Sequence, residues 1–106
     1  MIVTAWNNGQ HHPSGAGYGL KLQAEDRDRY FRKEWKYVIV ELEGYSKPVK
    51  LNIDKPSFWN TTCRELISKE FGVWLIENNL APWPKGKPPK LMLTPIKDNR
   101  YRLSRV

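Results

Sequence analysis

His11 and His12 stand side by side at the entry to Pro13-Ser14-Gly15-Ala16-Gly17-Tyr18-Gly19. Imidazole is the side chain whose ordinary charge change lies nearest neutrality, so a histidine pair suits acid-base work on a phosphoester or nucleotide. The glycines suit a different purpose, because without a Cβ their backbone amides can come close to a ligand oxygen. The whole segment from Asn7 to Gly19 has four glycines and one proline, which leaves no regular element. The contacts it predicts are Gly15, Gly17 and Tyr18 on an anion or base, with His11 or His12 supplying a proton or a hydrogen bond. No Gly-Lys-Ser/Thr ending and no helix opening follow Gly19, so neither of the familiar phosphate-loop fingerprints is met. A structural crossover explains the same composition.

The remaining reactive residues are fragments of sites. Glu34-Trp35-Lys36 has the Glu-x-Lys form found at nuclease metal centres, with Asp26 and Asp28 upstream, but it falls at a helix-to-strand junction and its aspartates alternate with arginines. Ser14 lacks a strand-to-helix elbow and Cys63, the only cysteine, has no visible base. That single cysteine excludes an intrachain disulfide and a cysteine-based metal site. Adjacent histidines in extended chain point in opposite directions and do not share one ion. No metal, no cofactor and no catalytic residue beyond the candidates His11 and His12 is therefore expected.

The formal charge of +7 is unevenly placed. Residues 1–81 carry 11 Lys/Arg against 10 Asp/Glu, whereas residues 82–106 carry Lys85, Lys87, Lys90, Lys97, Arg100, Arg102 and Arg105 against Asp98 alone. A local excess of that kind attracts a polyanion. Trp83 lies within the same quarter, in Pro82-Trp83-Pro84-Lys85-Gly86-Lys87-Pro88-Pro89, a connector stiffened by its prolines. An indole there serves as a core plug or as a stacking platform.

These residues need elements to hold them. Strands are expected over 1–6, 18–24, 36–43, 47–53, 90–96 and 100–106, where apolar and polar residues alternate. Gly44-Tyr45-Ser46 and Lys97-Asp98-Asn99 would close two hairpins. A short surface helix is expected near residues 25–33, with Tyr30, Phe31 and Trp35 pinning it to the sheet. A long helix is expected over 62–80: Thr62 and Glu65 have capping-box spacing, and Leu66, Ile67, Phe71, Trp74 and Leu75 recur at helical intervals. Gly72 inside it marks a bend or the close approach of another backbone.

The fold class that follows is α+β, in one domain of 106 residues. Five or six mostly antiparallel strands curl into a sheet or small open barrel against the long helix. With no run of 18 apolar residues and no secretory leader pattern, a cytoplasmic protein is expected. The leading functional expectation is a nucleic-acid-binding or reader module, in which Lys90, Arg100 and Arg102 on the outer face of the last hairpin hold phosphates while Trp83 or Tyr18 stacks on a base. An enzyme acting on a nucleotide or phosphorylated ligand through loop 7–19 is the second expectation. A homodimer or structural protein, joined through Val73, Ile76 and Trp83, is the third.

Overall fold

A computed structural model describes residues 1–106. In chain order the elements are β1 (Ile2–Asn7), β2 (Tyr18–Lys21), α1 (Ala24–Tyr30), β3 (Tyr37–Leu42), β4 (Val49–Asn52), α2 (Pro56–Trp59), β5 (Glu65–Ile67), α3 (Lys69–Glu77), β6 (Lys90–Lys97) and β7 (Arg100–Arg105). All the strands join one seven-stranded sheet in the order β4-β3-β7-β6-β1-β2-β5. The class is α+β as the alternating pattern implies, with seven strands rather than five or six. The sheet is mixed, since β3 and β7 run parallel while every other neighbouring pair is antiparallel.

The alternation sorts side chains cleanly. Val38, Val40, Leu42, Leu91, Leu93, Tyr101 and Leu103 all face the core and are nearly or completely inaccessible. Fully burying each aliphatic among them contributes roughly 1.5–3 kcal/mol. Phe31, just beyond α1, stacks on Tyr101 at 4.6 Å between ring centroids, and the Tyr101 hydroxyl donates to the Tyr30 carbonyl at 2.6 Å. Buried Arg27 ties α1 to α2 by donating to the Phe58 and Asn60 carbonyls. The helix expected over 25–33 thus occupies Ala24–Tyr30.

The expected helix over 62–80 is corrected to a strand and a shorter helix. Asn60 Oδ1 accepts from the backbone N–H groups of Thr62 and Cys63, which makes an Asx turn of the supposed cap. Arg64 then adopts φ +59°, a left-handed conformation that no α-helix continues through. Leu66 points into the core from β5 and pairs with Leu20, leaving Glu65 and Ile67 on the outer face. The helix starts three residues later, where the Ser68 hydroxyl accepts from Glu70 N–H. Phe71, Trp74 and Leu75 are its real apolar stripe, each fully buried. Leu66 and Ile67 fitted the helical interval by coincidence of spacing.

The first hairpin is also looser than a three-residue turn allows: β3 ends at Leu42 and β4 begins at Val49. The second matches its pattern, with Asp98 at φ +52° in the turn and a register irregularity between Pro95 and Lys97.

Candidate functional site

The loop after β1 folds down on α3. Gly15 is buried, and a Cβ on it would stand 2.7 Å from Val73 N and 2.8 Å from the Lys69 carbonyl. On the opposite side, a Cβ on Gly72 would stand 2.6 Å from the Gly15 carbonyl carbon. These two glycines let loop and helix meet backbone to backbone. The Gly15 N–H donates to His12 O, and Ala16 N–H to Ser14 Oγ, so neither amide points at a ligand. Gly17 (φ +79°) lies against the Asn8 side chain, and its carbonyl accepts from Asn8 N–H. Gly15 and Gly17, expected on an anion, make these packing contacts within the chain.

The two histidines part company. His12, exposed, bonds Ser14 Oγ at 2.6 Å and accepts from Ser14 N–H through Nδ1. His11 turns the other way, into a chain whose polarity can be traced from the backbone. Gly9 N–H donates to Asn7 Oδ1 at 3.1 Å, which leaves Asn7 Nδ2 to donate to His11 Nε2, also at 3.1 Å. His11 Nδ1 therefore carries the ring proton and donates to the Tyr18 hydroxyl at 2.8 Å. Burial pushes the Tyr18 phenol above its ordinary range, so it stays neutral. With separate partners, His11 and His12 are not an acid-base pair.

What His11 does meet is Trp83. The imidazole lies edge-on to the indole at 4.6 Å between centroids, and Tyr18 approaches the same indole at 5.6 Å. Three of the residues singled out in the sequence, 65 positions apart from Tyr18 to Trp83, converge in one aromatic cluster. The strap after α3 puts Trp83 there. It leaves through a cis Ala81–Pro82 bond, makes a turn in which Lys87 N–H donates to Pro84 O, and returns beside β1, where Ala5 N–H donates to Pro89 O. Gly86, at φ +76°, fills the turn position that requires a left-handed residue and holds Lys85 at the tip.

Between loop and strap lies a cavity of about 390 Å³, lined by Asn7, Gly9, His11, Trp83, Lys85 and Gly86. No carboxylate lines it, and Lys85, Lys87 and Lys90 are without an acidic partner. Asn7, Gly9 and Gly86 were not singled out by sequence. The Pro84-Lys85-Gly86-Lys87 run carried a turn signal that would have flagged one side of the cavity.

The hairpin cations are differently placed. Arg100 and Arg102 project from the outer face as the alternation requires, but the parallel neighbour β3 sets Glu41 beside both, at 3.6 and 3.1 Å. Arg105 lies 3.5 Å from Glu43. Arg100 and Arg102 border a separate groove of about 610 Å³ with Glu41, Glu43, Tyr45 and Ser46. The continuous cation row expected from Lys90 through Arg102 and Arg100 is interrupted by these acids, because β3 rather than solvent flanks β7. Lys90 is exposed at the start of β6, opposite Thr4.

The Glu34-Trp35-Lys36 stretch is a turn in which Glu34 approaches Arg32 at 3.9 Å. No three His, Cys, Asp or Glu side chains gather as metal ligands would. No helix is long and apolar enough to cross a membrane. Compared with known protein families, curated proteins and solved structures, the chain matches none.

Proposed function

We propose that the chain is a small single-stranded nucleic-acid-binding module whose contact surface is the strap and loop around Trp83. One observation carries the reading. An open cavity with an indole and an imidazole in its wall, free of carboxylates, continues along a strap whose lysines have no acidic partner. Stacking of a base on an aromatic platform contributes about 1–3 kcal/mol and tolerates any sequence, and nearby lysines hold the backbone phosphates. Phosphates would fall on Lys85, Lys87 and Lys90. Tyr18 supports the cluster from beneath, positioning His11 through its hydroxyl.

Arg100 and Arg102 take a secondary part in this reading. The two share the single carboxylate of Glu41, so an approaching phosphate finds a weaker field there than two unpaired arginines would give. The test is fluorescence anisotropy with a labelled single-stranded oligonucleotide. Charge reversal at both Lys85 and Lys87 removes binding, while reversal at Arg100 and Arg102 weakens it only modestly. Glu41→Gln, which releases both arginines, tightens it. Unchanged affinity in the Lys85/Lys87 double variant defeats the proposal.

A further inference from the structure

Four of the five tryptophans pack on the core: Trp74 is fully buried within it, and Trp35, Trp59 and Trp83 are partly buried against it. Trp6 is the exception. It is half-buried, yet it belongs neither to the core nor to the residues packed against it, and it meets no other aromatic ring. Alternation along β1 gives the reason, since Val3 and Ala5 face the core and so turn Ile2, Thr4 and Trp6 to the outer face of the sheet. The helices lie on the other side. Phe58 of α2 and Phe71, Trp74 and Leu75 of α3 share one core with Val3 and Ala5, and Arg27 ties α1 to α2.

The neighbours of Trp6 connect it to the strap. Register sets Gly19 opposite it on β2, and a Cβ there would stand 2.5 Å from the Leu66 carbonyl oxygen, so no side chain can stand beside the indole from that strand. On the β6 side Lys90 lies opposite Thr4, which makes Trp6 its diagonal neighbour on the same face, within reach of long and aromatic side chains. Lys90 is exposed and has no acidic partner. Lys21, on the other flank, is already engaged, donating to the Thr62 carbonyl at 3.0 Å and lying 3.7 Å from Glu65. A strand whose phosphates lie on Lys85, Lys87 and Lys90 therefore runs off the strap onto the outer face, where the aromatic ring beside Lys90 is Trp6.

Resting on the single-strand reading above, we propose that Trp6 is a second base-stacking platform, its indole lying over the bare backbone of Gly19 with the other face offered to the base next to the phosphate on Lys90. The nucleic acid is then held by a ring at each end of its track, Trp83 at the cavity and Trp6 on the sheet, with the lysines between them. Stacking needs no particular base and neutralises no phosphate. Trp6 thus adds affinity without steepening the salt dependence, whereas each lysine does both.

The experiment is anisotropy on the full chain with a labelled single-stranded oligonucleotide of about eight residues, at several salt concentrations. Wild type is compared with Trp6→Thr, which suits a strand position outside the core, and with Trp6→Phe, which keeps a stacking face. Trp6→Thr should weaken binding by about 5- to 150-fold at every salt concentration with the slope unchanged, and Trp6→Phe should recover most of the loss. The Trp6 indole N–H signal of the wild type, which should shift on titration, gives the same test without a substitution. Wild-type affinity in Trp6→Thr, or an unmoved Trp6 signal, with binding still lost on reversing Lys85 and Lys87, overturns the second platform and leaves the single-strand reading standing. A loss that phenylalanine does not relieve, or one that comes with a shallower salt slope, overturns the stacking role. A change of association state in light scattering, with oligonucleotide affinity untouched, makes this face a contact between copies of the chain and also overturns the proposal. Absence of oligonucleotide binding by the wild type overturns both readings together.

Discussion

The salt dependence of oligonucleotide binding separates the strap from the hairpin, and its size can be worked out from the ion pairs. If phosphates are held by Lys85, Lys87 and Lys90, binding to a single strand should show a log–log salt slope of about −2, taking roughly 0.7 per neutralised phosphate. Raising salt from about 50 to 200 mM would then weaken binding by roughly 20-fold. If Arg100 and Arg102 were equal partners, the slope would be about −3.5 and the loss over the same interval more than about 100-fold. The structure favours the smaller figure because Glu41 lies within 3.6 Å of both guanidinium groups. Lys87→Gln should reduce the slope by about 0.7 without altering the fold. Anisotropy titrations at four or five salt concentrations, on the wild type and that variant, measure all of this. A wild-type slope near −3.5, or a Lys87→Gln slope equal to the wild type, refutes the assignment of the phosphates to the strap.

Other outcomes follow from the packing. Gly72→Ala should destabilise the fold by about 1–3 kcal/mol in denaturant titrations, since its Cβ meets the Gly15 backbone, and Gly15→Ala should cost at least as much because φ is +89° there. Ser68→Ala should cost about 1 kcal/mol as a lost helix cap. The hydrogen bond from Ser68 also holds the Glu70 carboxyl below its ordinary range. That contribution is present above the unfolded carboxylate range and is lost as pH falls through the lower folded value, so the gap between wild type and Ser68→Ala should narrow in acid to the part due to the cap. Burial pushes the Tyr101 phenol well above its ordinary range. The stability it adds is complete below the unfolded tyrosine value, about pH 10, and is lost as pH rises beyond it. Tyr101→Phe should therefore flatten the alkaline unfolding curve. Long-range proton-nitrogen spectra should find His11 as the Nδ1–H tautomer, and a Nε2–H ring would contradict the Asn7 to Tyr18 chain.

Much of the sheet could be read directly. Strands with strict alternation, such as Val38-Ile39-Val40-Glu41-Leu42, declare which residues face inward, and their neighbours cannot shift register without exposing them. The three-residue strand β5 could not be read, because its single buried residue, Leu66, sits where a helix ending in the same stripe would also bury one. Only the left-handed Arg64 and the Asn60 turn separate the two answers, and neither has a strong sequence signature in arginine. Strand order was hidden for a different reason. Nothing local says that β7 lies beside β3, yet that neighbour supplies Glu41 and decides whether the hairpin arginines are free.

The candidate site divides along the same line. His11, Tyr18 and Trp83 were visible as residues with chemistry to offer, and Gly72 as a point of close approach. Their meeting was not visible, because it depends on the strap returning beside β1 and on loop 7–19 settling onto α3. Gly15, prominent by composition as a ligand contact, is needed for that settling. Ile76 and Trp83, named above for a dimer face, are partly buried against the chain's own core.

Chemical-shift mapping with a single-stranded oligo(U) or oligo(dT) tests the binding surface most directly. The expected result is that the Trp83 indole N–H, the Asn7 side-chain amide and the backbone amides of Gly9, Lys85 and Gly86 shift first and furthest. Shifts confined to the groove of Glu41, Tyr45 and Arg102, or no shifts at concentrations that saturate other single-strand binders, would contradict the account.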